Sequence, residues 1–567
     1  MYLKQNKING KTHLIIVHGY RDPKTKIVKT KTIKSLGYLE DLAKQYSDPI
    51  AHFKQVVAEM NEEANAEKNL CRIQIDPNSK IENDARKNIG YAVLSQLYHK
   101  LELNILFNNR SRYTDAKYPL NDIMKTEVFS RILFPGSKKS TYENRHLFYE
   151  KNRYSLDDVY RSLTFLNKIK DGVQLHLHNQ MIQKFGRTNE IMYYDVTNYY
   201  FEIDEQDELR KKGVSKEHRT DPIIQMGLFM DTNGIPVTYR LFPGNTNDCE
   251  TLIPIMKDIK RDYEIGRTII VADKGINTHR NIIFNLIKGD GYVYSQTIRG
   301  GHSELKDYVL DSNGYRASGE NFRIKSRVYP REIIITDVHG KKKKVRIDEK
   351  QVILYSEKYA KRAKAEREAA IVKAYDLVRN PEKYNRATSY GAAKYVKNLE
   401  FNSETGEVST TRQKLFFNYE KLCEEERWDG YYAIITSEHN KTDEEIIDIY
   451  RGLWKIEESF RLTKSELKTR PVFVTREDHI QAHFLICFIA LMILRLLEYQ
   501  LGNKYSGARI AESLSQATGY LMQENWYHFG YADEVTEEIE KVTGIPLTQK
   551  YLKLGNLRNI FGNTKKQ

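Results

Sequence analysis

The sequence predicts an α/β protein of several domains: a mixed-sheet core interrupted by a mainly β insertion, preceded by a small β meander and a helical region, with a helical C-terminus. Three observations carry this expectation. The chain has 567 residues, room for three to four domains at roughly 150 residues each. Between positions 189 and 300, three β-rich runs are followed by helix, strand, helix and strand, which is the order of an α/β sheet. A composition of 40% hydrophobic and 29% charged residues, with only 13 Pro and no low-complexity tract, excludes a disordered or fibrous chain.

Residues 1–35 alternate the runs THLIIVHGY and KIVKTKTI with turn signals at Asn9-Gly10 and Asp22-Pro23, and read as the meander. Residues 36–188 read as helical: Asp48 caps a helix that Pro49 opens and that runs to about Asn65. Apolar periodicity marks further helices over 86–107, 119–134, 141–151 and 155–186. The basic residues Lys138, Lys139, Arg145, Lys151 and Arg153 fall around its loops and helix ends, as phosphate contacts or as solvated surface. Residues 189–300 form the first part of the core. EIMYYDVTNYYFE, PIIQMGLFMD and IPVTYRLFPG are antiparallel strands, the last two joined by a turn at Asp231-Thr232-Asn233-Gly234. A helix from Glu250 to about Glu264, the strand TIIVAD, a helix over 278–288 and the strand GYVYSQTI complete it. TIIVAD ends in Asp273, at the carboxyl end of a strand, where ligands of α/β sheets sit.

Residues 301–435 read as the mainly β insertion, with a hairpin EIIITDVHGKKKKVRI whose lysines 341–344 occupy the tip, a charged helix over about 357–378, a strand pair around Ser403-Glu404-Thr405-Gly406, and the strand GYYAIITS. Residues 436–505 return to the core. Thr442 and Glu445 make a capping box for one long helix to about Lys468, and a second helix spans about 477–500. Residues 506–567 read as a helical C-terminal region.

The charge balance is 90 Lys+Arg against 76 Asp+Glu, a net +14, which favours a polyanionic partner through field steering and counterion release. Cys71, Cys249, Cys423 and Cys487 form no CxxC pair, so neither a disulfide framework nor a thiolate zinc site is expected. The longest strictly apolar run, Phe484 to Leu494, is closed by Arg495 well short of the roughly 18–20 residues that cross a bilayer, so no membrane partner is expected. The N-terminus carries no small-residue cleavage site, which points to the cytoplasm.

The helix from 442 presents an apolar stripe at Ile446, Ile449, Leu453, Ile456, Phe460 and Leu467. Beside it runs the row Tyr450, Trp454, Glu457, Arg461 and Lys464, in which residues seven apart lie almost two turns apart on one side. Glu458 falls on a more exposed row with Arg451, Lys455 and Leu462. Asp195, in mid-strand among aromatics, is costly to bury without a cation or hydrogen bonds. Three carboxylates converging from two strands and a helix make an oxygen-only site suited to a hard divalent cation, Mg²⁺ or Mn²⁺. The bland alternatives are a surface Glu457–Arg461 pair and, for Asp195, an inter-strand hydrogen bond that its carboxylate accepts or a solvent-facing position on the alternating pattern.

The runs YYDVTNYYFE, KGVSKEHRTDP, LFPGNTNDCETL, VADKG and YRGLWKIEESFRLTKSELKTRPVF, in this order, resemble the DDE transposases of bacterial insertion sequences. The nearest group bears a Tyr-x2-Arg-x3-Glu-x6-Lys signature, an RNase H-like core and an insertion ahead of the glutamate-bearing helix. The resemblance covers about 190 to 485, and the opening MYLK…YRD…SLGYLEDL is similar to the start of one branch of that group. It implies that Asp195, Asp273 and Glu457 are the catalytic, metal-binding triad, and that Tyr450 and Lys464 contact phosphates at the cut end. The signature's arginine is missing: Leu453 stands there, leaving Arg451 or Arg461 as the neighbouring guanidinium groups. Trp428 either stacks on an extruded base, as an insertion-domain tryptophan does in some relatives, or packs in the core.

The implied activity is metal-dependent DNA cleavage and strand transfer, with the helical region at 36–188 binding DNA ends. The chain would bind the terminal inverted repeats of its element, cut there and join the 3′ ends to target DNA by a cut-and-paste route through a hairpin, as a homodimer in the synaptic complex. The rivals are an RNase H-like nuclease that does not join, a DNA-binding chain without catalysis, and a carboxylate-pair glycosidase, which has no use for the basic charge. HIQAH lacks the glutamate of HExxH, so His479 and His483 are not a zinc-hydrolase pair, and PGNTND lacks the Gly-Lys-Ser/Thr of a P-loop, so no nucleotide cofactor is implied.

Overall fold

A computed structural model describes residues 1–8, 10–21, 27–69, 78, 80, 85–112, 117–151, 153–213, 216, 220–336, 340–380, 391–397 and 415–566. They form two compact units, Met1–Ile81 and Glu82–Gln567. In the first, strands β1 (Tyr2–Ile8), β2 (Lys11–Arg21) and β3 (Val28–Tyr38) pair antiparallel in chain order. Leu14, Ile16 and Val17 of the central strand are buried, while β3 is exposed over most of its length. The helix Pro49–Asn69 belongs to this unit, with the Asp48 carboxylate accepting from the Ala51 N–H at 3.0 Å. Asn61 ties it to the chain start by donating to the Met1 carbonyl at 2.9 Å. The region 36–188 is therefore not one helical domain but is shared between the two units. The Asp22-Pro23 turn and Cys71 lie outside the described residues.

The second unit opens with strand β4 (Arg86–Asn88) and helices Tyr91–Lys100, Leu103–Arg112, Leu120–Leu133 and Leu156–Phe185. The last is delimited as its sequence dictates: Ser155 and Asp158 form a capping box, and Gly186 ends it in the left-handed conformation. Lys138, read as a surface or phosphate-contacting residue, is buried and paired with Glu127 at 2.6 Å.

The core strands β5 (Ile191–Tyr200), β6 (Ile223–Met230) and β7 (Pro236–Pro243) are antiparallel. The turn between β6 and β7 is held by Asp231, whose Oδ1 accepts from the N–H groups of Asn233 and Ile235 and whose Oδ2 accepts from buried Arg187 at 2.8 Å. Helix Asp248–Asp262 leads to β8 (Ile269–Ala272), parallel to β5, and helix His279–Ile287 leads to β9 (Gly291–Gln296), parallel to β8. Apolar clusters cover both faces of this sheet, which is why β5 and β6 read as near-continuous β-formers rather than as alternating strands.

The insertion is not a separate β domain. Its short strand β10 (Arg316–Ala317) and long hairpin, β11 (Phe322–Thr336) and β12 (Lys342–Ser356), join the core sheet through β15 (Tyr431–Thr436), in the order β10-β11-β12-β15-β9-β8-β5-β6-β7. The link, β15, pairs antiparallel with β9 and so closes an edge that would otherwise expose unpaired backbone groups. Lysines 342–344 start β12 rather than forming the tip. Helices Ser303–Leu310, Glu357–Arg379 and Tyr419–Glu426 and the small pair β13 (Val396–Lys397) and β14 (Phe416–Phe417) complete the segment. The pair expected around Ser403 to Gly406 lies outside the described residues.

The single helix expected from 442 to 468 is two, Asp443–Arg451 and Trp454–Ser465, joined at Gly452-Leu453. Leu453 and Ile456 N–H groups bond three residues back, tightening the joint to a 3₁₀-like turn. Gly452 permits close approach to β5: a Cβ there would stand 1.9 Å from the Tyr193 hydroxyl oxygen. Helix Glu477–Gln500 is long and apolar enough to cross a membrane by length and composition, more than the strict run suggests, yet 94% of its most apolar window is buried inside the protein. The region 506–567 is mixed rather than helical: β16 (Thr518–Leu521), β17 (Trp526–Phe529) and β18 (Tyr551–Lys553) form a sheet with β4, in the order β18-β17-β16-β4.

Gly452→Ala is expected to destabilise the protein by about 1–3 kcal/mol in urea unfolding, as an overpacked contact does. Gly266→Ala, where an added Cβ meets nothing within 4 Å, should change stability by less than about 0.5 kcal/mol.

Candidate active site

The parallel pairing of β5 and β8 ends at Tyr194 and Ala272, so Asp195, in the middle of β5, and Asp273, just past the carboxyl end of β8, are the next residues on either side. Beyond that pair β5 continues without β8. Val196, whose N–H and C=O face the vacated edge, donates to its neighbour's Asp195 Oδ1 at 2.7 Å and accepts from the Lys216 ammonium. Burial pushes the Asp195 carboxyl up to about 6. Lys216 and the Val196 N–H pull it down, while Asp273 and Asp248 push it further up. Asp248, the first residue of the Asp248–Asp262 helix, lies 3.8 Å from Lys216 Nζ.

Asp273 Oδ1 accepts from the Ser295 hydroxyl at 2.6 Å and from Tyr450 OH at 3.4 Å. Tyr432 OH in turn donates to the Tyr450 hydroxyl oxygen. Burial first, then Tyr432 and Asp273, hold the Tyr450 phenol far above its ordinary range, so it stays a donor. Glu457 is exposed on the helix Trp454–Ser465 and shares with Asp273, Tyr432, Tyr450 and Trp454 the wall of a cavity of about 420 Å³. Thus Asp195 and Asp273 are brought together and Glu457 faces the same cavity as Asp273. Among the described residues no three His, Cys, Asp or Glu side chains close around a common point as a metal cage. The donor set nonetheless fits a hard cation, since it is all oxygen and contains a half-buried carboxyl whose burial penalty Lys216 and the Val196 N–H offset only in part.

Lys464 faces Asp195 with its Nζ 5.5 Å from the Tyr199 ring; burial and Lys216 lower it to about 8, and Asp195 acts in the opposite sense. Arg461 is exposed and 3.5 Å from Glu458. Leu453 is buried on the apolar stripe. Trp428 is 7% exposed and packs with Ile298, Leu305, Val309, Ile353 and Ala433, while lining a second cavity, of about 460 Å³, that also reaches Asp273. Leu462 and Glu458 are not the exposed row expected: Leu462 is buried, and Glu458 lies 3.1 Å from buried Arg495. His479 and His483 take separate partners, the Thr164 hydroxyl at 3.1 Å and the Thr469 carbonyl at 3.0 Å. Lys216 and Asp248 sit in quoted motifs without an assigned role; Ser295 and Tyr432 gave no sequence signal beyond being polar groups in apolar strands.

Residues 201–493, slightly more than half of the chain, match a family model described as the transposase DDE domain, and residues 3–71 match the IS1634 family transposase N-terminal domain. Asp273 and Glu457 fall inside the longer match and Asp195 just before it. No curated protein matches. Among solved structures, the piggyBac transposase synaptic complex with hairpin DNA is similar at 9% identity and a TM-score of 0.35, over 85% of this chain and 86% of that one. The Mos1 transposase paired-end complex with the left transposon end is similar at 12% identity and a TM-score of 0.14, over 30% and 57%.

Two outcomes follow from the site's electrostatics. A carboxyl raised from 3.8 to about 6 costs the folded state nothing below pH 3.8 and its full penalty above pH 6. Without divalent cation, Asp195→Asn should therefore raise stability by about 1–3 kcal/mol at pH 8, a gain that fades as the pH falls towards 4, measured by urea unfolding at several pH values. Glu458→Ala, which deprives buried Arg495 of one carboxylate, should lower stability by about 1–3 kcal/mol at pH 7.

Proposed function

Because the chain belongs to the transposase DDE domain family, we propose that it cleaves DNA at the terminal inverted repeats of its own insertion sequence and joins the 3′ ends to target DNA. The observation that carries the site assignment is the juxtaposition of Asp195 and Asp273 at the end of the β5–β8 pairing, with Glu457 on the cavity wall shared with Asp273. The strand order β9-β8-β5-β6-β7, with β6 antiparallel, supports an RNase H-like core. Tyr450, Glu457 and Lys464 keep the spacing of the Tyr-Arg-Glu-Lys group, with Leu453 in place of the arginine.

Members of this family depend on divalent metal, and we assign Mg²⁺ or Mn²⁺ to Asp195, Asp273 and Glu457. When bound, two such ions activate the attacking oxygen and stabilise the leaving one in an in-line displacement. The chain's own residues do the holding. Lys464 presents an ammonium beside Asp195, where a phosphate of the scissile strand would sit, and Tyr450 keeps its proton as a donor. The product route is cut-and-paste, in a homodimeric synaptic complex in the cytoplasm. Arg461, exposed on the same helix, contributes long-range attraction to the DNA backbone, and Trp428 is assigned to core packing.

Replacing Asp195, Asp273 or Glu457 by Ala should abolish cleavage and strand transfer of pre-cleaved ends while end binding in gel shifts persists, because affinity comes mainly from phosphate contacts elsewhere. A variant that still cleaves at near wild-type rate removes that residue from the site. Lys464→Ala should slow cleavage and make end binding less salt-dependent by about one phosphate contact, with Lys464→Arg recovering part of the loss.

A further inference from the structure

Three neighbouring strands bring one polar side chain each around the end of β8. β8 pairs with β9 through Ala272 and Tyr294, so Asp273 and Ser295 are neighbours, and Ile434 of β15 lies opposite Ser295, two residues from Tyr432. Ser295 is 2% exposed, and a buried hydroxyl has one proton to give. It gives that proton to Asp273 Oδ1 at 2.6 Å. Tyr450 donates to the same oxygen, and Tyr432 donates to Tyr450. Asn277 pins the turn that follows Asp273 to β9 by donating to the Ser295 carbonyl at 2.9 Å. A carboxylate with one oxygen held from two directions loses its rotation about the side-chain bond and presents its second oxygen in a fixed orientation.

We propose that Ser295, assisted by Tyr432 acting through Tyr450, is the positioning residue that orients the Asp273 carboxylate for cation binding. The proposal rests on the assignment of Asp273 to the cation site. Groups behind a ligating carboxylate set its orientation, and removing one typically lowers metal affinity 10- to 100-fold. A merely structural hydroxyl would affect folding stability and leave cation affinity alone.

The test is Mn²⁺ binding by the full chain without DNA, read as the loss of the free Mn²⁺ signal in electron paramagnetic resonance. Ser295→Ala should weaken binding about 10- to 100-fold, Tyr432→Phe should weaken it in part, and Ser295→Thr, which keeps the hydroxyl, should restore it. End-DNA affinity should be unchanged in all three. If wild type binds no Mn²⁺, or Asp273→Ala binds it as wild type does, the cation-site reading itself falls. If Asp273→Ala loses Mn²⁺ while Ser295→Ala and Tyr432→Phe keep wild-type affinity, the positioning role is overturned and the cation site stands. Should Ser295→Ala fail to fold, Tyr432→Phe, which preserves the ring, decides: undiminished affinity overturns the proposal.

Discussion

The site depends on where one pairing stops. β5 and β8 run parallel only as far as Tyr194 and Ala272, and the chain leaves β8 there in a turn while β5 runs on. Both aspartates are therefore the first side chains past the last shared rung, close enough for Asp273 to push the Asp195 carboxyl up. Had β8 been two residues longer, the Val196 N–H would pair with backbone. Instead the Asp195 carboxylate and the Lys216 ammonium complete that open edge, so the same discontinuity that creates the carboxylate pair also recruits a cation and a second acid, Asp248, to its rim.

The helix bearing Glu457 is held against this edge from behind. Thr463 meets the Tyr199 hydroxyl at 2.7 Å, and Arg495 of the buried helix Glu477–Gln500 reaches Ser459, Glu458 and Glu498. Arg131 takes the carbonyls of Leu467 and Lys468 beyond the helix's end. The buried Arg495 guanidinium is tolerated because its Nε, Nη1 and Nη2 each find a partner. Glu458 thus belongs to the scaffold and adjacent Glu457 to the cavity, a division one residue apart that follows from the helix having one side on the core and one on solvent.

Charge is arranged in opposition to stability at this point. Asp195 is raised by its surroundings, and Lys464 beside it is lowered, so each ionised form is disfavoured by burial although the two attract. Such strain is characteristic of sites whose missing charges arrive with a ligand. A polyanion and a hard cation together would supply both, the cation compensating the aspartates and the phosphates the lysines, as the proposed function requires of a chain of net charge +14.

Much of this was written in local sequence. The strands from 191 to 296, the cap at Asp48, the boundaries at Ser155 and Gly186 and the turn at Asp231 all depend on neighbours a few residues away, and periodicity and cap chemistry report such neighbours directly. The acidic residues in β5, after β8 and on the apolar-striped helix were legible for the same reason. What the sequence could not decide depends on partners hundreds of residues apart. The helix from 442 is interrupted at Gly452, where the backbone passes close to Tyr193 of β5. The insertion's hairpin extends the core sheet because β15 pairs with β9, and the last residues form strands because β16 finds β4 near the other end of the chain. Ser295 and Tyr432 matter only because the lateral order of β8, β9 and β15 sets them around Asp273. Residue type and spacing determined the elements and their acids. Lateral strand order and long-range packing, which free energy settles over the whole chain, decided which side chains meet.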